Sequence, residues 1–271
     1  MLRWLGLKGH IMPKVKIINT VKRSFNLLKK DPTLIVLFIL PALFPIEGTI
    51  TSYLRTFILF GPPQNTPPML SILLSLLHFI VGFFFGVWAS AGAVLKVTEL
   101  QKGSKMGLKE ALSKGLKKVP KLLIPAIVGL VIYILLYASL MIALIPHIFA
   151  GMPPLTQGAE PSIIVLRLAM GFLLIIGLYV ATRLRLYAPA CVLENNFGLK
   201  TSWKLVKGNW WRLFAIVLIF GAMSAIISEI PIAGVFLRGL IVDPLTITAM
   251  TLVYFQLREA ESSGEGHKES L

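Results

Sequence analysis

Long apolar runs alternate with short polar breaks along most of this chain, and the runs have the length of membrane-crossing helices. About 20 consecutive, mostly apolar residues cross a bilayer as a helix. Six stretches meet that length: 33–59, 69–95, 122–149, 162–183, 213–230 and 235–257. They pair into three hairpins. The first closes through GPPQNTPP at 61–68, the second through GMPPLTQGAEP at 151–161, and the third through PIAG at 231–234. None of these turns holds a Lys or Arg, whereas every other connection is rich in them. Loops that retain Lys and Arg face the cytoplasm. The pattern therefore predicts a multi-pass protein of the cell membrane with both termini inside. Trp203, Trp210 and Trp211 fall where the fifth run enters the bilayer, and Tyr254 and Phe255 where the sixth leaves it, levels that such rings favour.

The basic connections have a helical period of their own. Residues 108–123 (LKEALSKGLKKVPKLL) and 199–214 (LKTSWKLVKGNWWRLF) align at an offset of 91 residues. Residues 24–29 (SFNLLK) align with 202–207 (SWKLVK) at 178, close to twice that. In the first copy Ile17, Ile18, Val21, Phe25 and Leu28 share one helical face, while Lys14, Lys22, Lys29 and Lys30 lie largely elsewhere. A basic amphipathic helix of this kind rests in the interface plane. The expectation is an all-α, six-transmembrane-helix bundle built from three repeats, each an amphipathic interfacial helix followed by a transmembrane hairpin. Segment 1–32 is the basic N-terminal part, 33–258 the membrane domain, and 259–271 a polar cytoplasmic tail. The bland alternative is that the basic stretches are ordinary loops obeying the topology rule.

Composition sharpens this picture. Charged residues are 14% of the 271 and hydrophobic ones 56%, against roughly 25% charge in soluble domains. Of 27 Lys and Arg, 24 lie in 1–32, 96–121, 183–212 and 258–271, beside the apolar runs. The net charge of +15 therefore reads as topology and contact with anionic headgroups, not as nucleic-acid binding. Lys22, Arg23, Lys29, Lys30, Lys114, Lys117, Lys118, Lys204 and Lys207 are the expected lipid contacts. The single Cys191 excludes an internal disulfide, and neither a cleavable signal peptide nor a lipidation motif is evident.

The stretch 183–213, RLRLYAPACVLENNFGLKTSWKLVKGNWWRL, resembles a family of uncharacterised integral membrane proteins. That family includes the membrane domain fused to some glycerophosphodiester phosphodiesterases. Arg183, Pro189, Glu194, Ser202, Trp203, Lys207, Gly208, Asn209 and Trp210 stand at its motif positions. Asp243-Pro244-Leu245 and Tyr254-Phe255-Gln256-Leu257-Arg258 match its last span. The resemblance implies a shared membrane fold. It implies no diesterase activity, because the catalytic domain is absent from this sequence.

Charges within spans are costly and face a bundle interior or a cavity. Counting at about 1.5 Å per residue, Glu47, His78, Arg167, Glu229, Arg238 and Asp243 converge in the outer half of the bilayer. They could line an outward-opening polar pocket. They could equally pair structurally, with Glu229 and Arg238 meeting across the third turn and Arg55 and Arg167 reaching outer headgroups. Arg183, Arg185 and Glu194 are expected to lock the exit of the fourth span to the helix that follows.

Enzyme signatures are missing: there is no HExxH, no phosphate-binding GxxxxGK[ST] loop and no GxSxG. His10, His78, His147 and His267 are scattered, which argues against a metal site. No cofactor is expected. The function classes left are a lipid-associated scaffold or accessory protein and, as the alternative, a transporter or flippase-like carrier of a lipid or small amphiphile. An intramembrane enzyme acting on headgroups ranks below both.

Overall fold

A computed structural model describes residues 15–43, 68–148, 161–194, 196–231 and 233–265. The described chain is all-α. In order come α1 (Ile17–Lys30), α2 (Thr33–Val36), α3 (Pro68–Gln101), α4 (Leu108–Ile148), α5 (Pro161–Leu184), α6 (Tyr187–Glu194), α7 (Leu199–Val206), α8 (Trp210–Ser228), α9 (Gly234–Leu237), a π-helical turn (Arg238–Val242) and α10 (Asp243–Glu265). Five of the helical stretches are long and apolar enough to cross a membrane, and they coincide with the second to sixth runs. The predicted first span lies outside the described residues beyond 43, as do the first two hairpin turns. The third turn is as tight as PIAG suggests, with the Ala233 N–H reaching the Pro231 carbonyl and the Gly234 N–H the Ile230 carbonyl.

α3 and α4 form the most extensive helix pair. Small residues set their approach: a methyl group on Gly115 would stand 2.9 Å from the Gly92 nitrogen. The indole N–H of Trp88 closes the seam by donating to the Leu112 carbonyl at 2.8 Å. Small residues let backbones come this close where lipid offers no hydrophobic drive between helices.

The three basic stretches do not fold alike, so the repeat is not carried into the elements. The first is the separate helix α1. The second is continuous with its span in the 41-residue α4. At about 1.5 Å per residue that helix is roughly 60 Å long, twice the hydrocarbon thickness, so its basic first turns project beyond the bilayer. The third is the short α7, ended at Lys207 and followed by Gly208 with a positive φ of 86°.

α1 also departs from the interfacial expectation. It packs on α10 and α8, burying Thr20, Ser24, Leu27 and Leu28, while Ile18 is 79% exposed. Thr20 and Ser24 can be buried because their hydroxyls already donate to the Lys16 and Val21 carbonyls of their own helix. Gln256 of α10 then donates to the Thr20 oxygen at 3.1 Å. The same self-satisfied hydroxyls recur on α10, where Thr248 and Thr251 are fully buried. Small side chains with their polar groups already bonded let two helices meet without orphaned donors.

Candidate functional site

At the basic end of the bundle a hydrogen-bonded latch joins α5, α6, α7, α8 and α10 and holds the entry of α1. Ser202 of α7 bridges the break between α5 and α6. Its hydroxyl donates to the Arg183 carbonyl at 2.7 Å and accepts from the Leu186 N–H at 3.1 Å. Those groups would otherwise be left unpaired at helix ends. The Arg183 guanidinium lies 5.1 Å from the Tyr179 ring centre and 4.9 Å from that of Trp203. It donates to the Tyr179 hydroxyl and the Trp203 carbonyl. Trp210 lies against Tyr179 and stacks on Phe214. Asn209 accepts the Val15 N–H at 3.2 Å, and Arg212 donates to the Val15 carbonyl, which ties the entry of α1 to α8.

Glu194 is the centre of the latch. It accepts from the Tyr254 hydroxyl (2.8 Å), the Thr201 hydroxyl (2.7 Å) and the Asn196 amide (3.0 Å), and it pairs with Arg258. Arg258 also pairs with Glu261 at 2.9 Å, and Glu261 with Lys204 at 2.5 Å. Every element that follows α5 except α9 and the π turn is therefore stitched at this end. Glu194 joins α6 to the following helix through Thr201 and to α10 through Tyr254 and Arg258, and it bonds neither Arg183 nor Arg185 of the helix exit. Arg183 locks through rings and backbone carbonyls instead.

A second polar group lies within the spans. After Leu184 the chain turns at Arg185 and Leu186 and continues as α6, whose Ala188, Pro189, Ala190, Cys191 and Val192 are buried. Arg185 and Asp243 are exposed, and Tyr187 is half-buried. Asp243 is within electrostatic reach of Arg238 and of Arg185. The π-helical turn that carries Arg238 runs directly into Asp243-Pro244. Pro244 has no N–H to give, which favours the wider turn before it.

The residues matched by a known family span both features: the family described as a domain of unknown function, DUF7847, covers residues 15–260. The chain belongs to DUF7847. No curated protein and no solved structure matches it. The latch of this DUF7847 domain lies inside the matched range.

Of the six residues expected in an outer pocket, the structure brings Arg238 and Asp243 together. Glu47 lies outside the described residues, as does the side chain of Arg167. Glu229 and Arg238 form no ion pair across the third turn; Glu229 is exposed instead. Arg185 joins the group from the far end of α5, which sequence reading had assigned to the locking of the helix exit. Among the described residues no cluster of His, Cys, Asp and Glu could hold a metal ion.

Sequence reasoning missed one further site. Lys96, in the last turns of α3, is 2% exposed. It pairs with Asp31 at 2.9 Å and donates to the Met106 carbonyl at 2.6 Å. It thus ties the α1–α2 junction and the α3–α4 loop to one helix. The available signal was an acid just before the first apolar run and a lysine directly after the second.

Proposed function

We propose that this DUF7847 domain is a lipid-associated membrane scaffold or accessory protein, without enzymatic chemistry, whose basic end faces the cytoplasm and holds anionic headgroups. The carrying observation is the basic rim: Lys22, Lys29, Lys30, Lys117 and Lys207 are exposed and make no ion pair among the described residues. Exposed Trp203 and Trp211 accompany them, and such rings favour the headgroup level. Lys114 and Lys204, by contrast, are engaged by Glu110 and Glu261, Arg23 donates to Gln101, and Lys118 is only half-exposed. The likeness to phosphodiesterase-linked membrane proteins supports a membrane module and adds no hydrolytic role.

Each exposed lysine near an anionic surface contributes about 1 kcal/mol, so the five together should sort lipids measurably. In nanodiscs of mixed phosphatidylglycerol and phosphatidylcholine, the wild-type chain is expected to retain phosphatidylglycerol on detergent extraction. The Lys22→Gln, Lys29→Gln, Lys30→Gln, Lys117→Gln, Lys207→Gln variant should retain the bulk ratio. Equal enrichment by both would sink the rim as the lipid contact. A second reading, carriage of a lipid or small amphiphile, is favoured by the charged residues Arg238 and Asp243 within the last span.

A further inference from the structure

The last turns of α10, beyond the final apolar run, lay an acid on the basic rim. Lys200, Trp203 and Lys204 fall three and four residues apart on α7, so they share one helical face. All three are exposed, as is Lys207 at the end of that helix. Ser202, Leu205 and Val206 are its buried residues. Glu261 reaches the outer face from α10, and its carboxylate pairs with Lys204 at 2.5 Å and with Arg258 at 2.9 Å. The contact faces water, since the side chains of Lys204 and Arg258 are 70% and 43% exposed.

The fold has little need of this contact. Exposed ion pairs contribute little to stability. Glu194 already joins α6 to α10 through Tyr254 and Arg258, and to α7 through Thr201. What Glu261 changes is the charge of the face, where it sets a carboxylate against lysines and an indole. Deepening the scaffold reading, on which it rests, we propose that Glu261 is an internal competitor for an anionic lipid headgroup. Lys204 and Arg258 form a phosphodiester site, and the α10 carboxylate fills that site until a lipid displaces it. Ammonium and guanidinium groups both bind phosphate oxygens. Trp203 on the same face favours the headgroup level, where lipid is the phosphate at hand. The arrangement fixes the signs. Removing the acid should strengthen lipid binding, whereas removing Lys204 alone should change little, because that lysine is already occupied. A clamp that only holds α7 to α10 predicts that both single changes act alike.

The test is native mass spectrometry of the full chain in non-ionic detergent, titrated with phosphatidylglycerol and, in parallel, phosphatidylcholine. Glu261→Gln is expected to bind phosphatidylglycerol about fivefold more tightly than the wild-type chain, the effect of one unit of charge near an anionic surface. Phosphatidylcholine should show no such gain. Lys204→Gln should stay near the wild-type value, and adding it to Glu261→Gln should abolish the gain. Unchanged or weaker binding by Glu261→Gln overturns the site, as does an equal gain for phosphatidylcholine. Equal and opposite effects of the two single changes would overturn it too, because net charge alone would then account for both. Competition by inorganic phosphate would assign the site to soluble phosphate and remove the lipid. Should Glu261→Gln not fold, Glu261→Ala takes its place, and failure of both to fold would make the pair structural and end the proposal. The five-lysine comparison leaves Glu261 and Lys204 in place, so the scaffold reading stands or falls on that result and this inference on its own.

Discussion

Replacing Lys96 with methionine is expected to destabilise the protein by about 3–5 kcal/mol, the cost of removing one partner of a buried ion pair. The change keeps the length and apolar stem of the side chain, so packing in α3 is preserved. What is lost is the ammonium that pairs with Asp31 at 2.9 Å and holds the Met106 carbonyl at 2.6 Å. Asp31 would keep its contacts with the Thr33 backbone N–H and hydroxyl, but it is 8% exposed, too enclosed for water to replace the lysine. Thermal unfolding in detergent, followed by loss of the monodisperse peak, reads the effect. Adding Asp31→Asn to Lys96→Met should recover part of the loss, since the buried charge disappears with its partner. A double variant no better than Lys96→Met would show that the pair is not coupled.

The same pair makes stability depend on pH in a defined direction. Burial pushes the Asp31 carboxyl up, but the bonds from Thr33 and the Lys96 ammonium together outweigh it, and the net shift is downward. A carboxylate whose folded pKa is depressed stabilises the fold above its unfolded value. That contribution is lost as pH falls through the lower, folded value. Lys96→Met, which leaves the Thr33 bonds in place, should make this acid-side loss smaller.

Gly198→Ala is expected to be nearly as damaging, for a purely steric reason. Gly198 has φ +67°, and a methyl group there would stand 2.5 Å from the Tyr187 carbonyl oxygen and 2.6 Å from the Cys191 nitrogen. Both obstacles are backbone atoms of α6, so no side chain can turn aside to make room. The left-handed conformation alone costs an alanine about 1–2 kcal/mol; moving α6 off the loop costs more. The comparison is Gly103→Ala, where φ is +82° but nothing lies within 4 Å. Only the conformational part is paid there, so its melting temperature should fall much less. Equal falls would mean that α6 does not press on the loop.

The spans were legible because hydropathy and length are local properties of the chain. Runs two to six reappear as helices with shifted ends. The motif residues were legible as a set, and the structure gives most of them mechanical tasks: Ser202 bridges a helix break, Asn209 holds Val15, and Glu194 gathers Tyr254 and Arg258. The role of α1 was not legible. Thr20 and Ser24 are not among the residues of the apolar face read from the sequence, yet small hydroxyls bonded to their own helix are what allow close contact with α10. The charges within the spans were half legible. Arg238 and Asp243 stood out as intramembrane charges, but Arg185 read as an exit residue, because a two-residue turn leaves no mark in an apolar pattern. Lys96 escaped because its partner lies 65 positions earlier (31 to 96), and no periodicity links the two.

All of this presumes a bilayer with the lysine-rich end on its inner side. Cysteine scanning of intact cells in a Cys191→Ser background puts that directly to the test. With a membrane-impermeant maleimide, Ala233→Cys at the uncharged third turn should label, and Lys117→Cys at the basic end should label only after the cells are opened. Labelling of Lys117→Cys in sealed cells, with Ala233→Cys protected, would contradict the account.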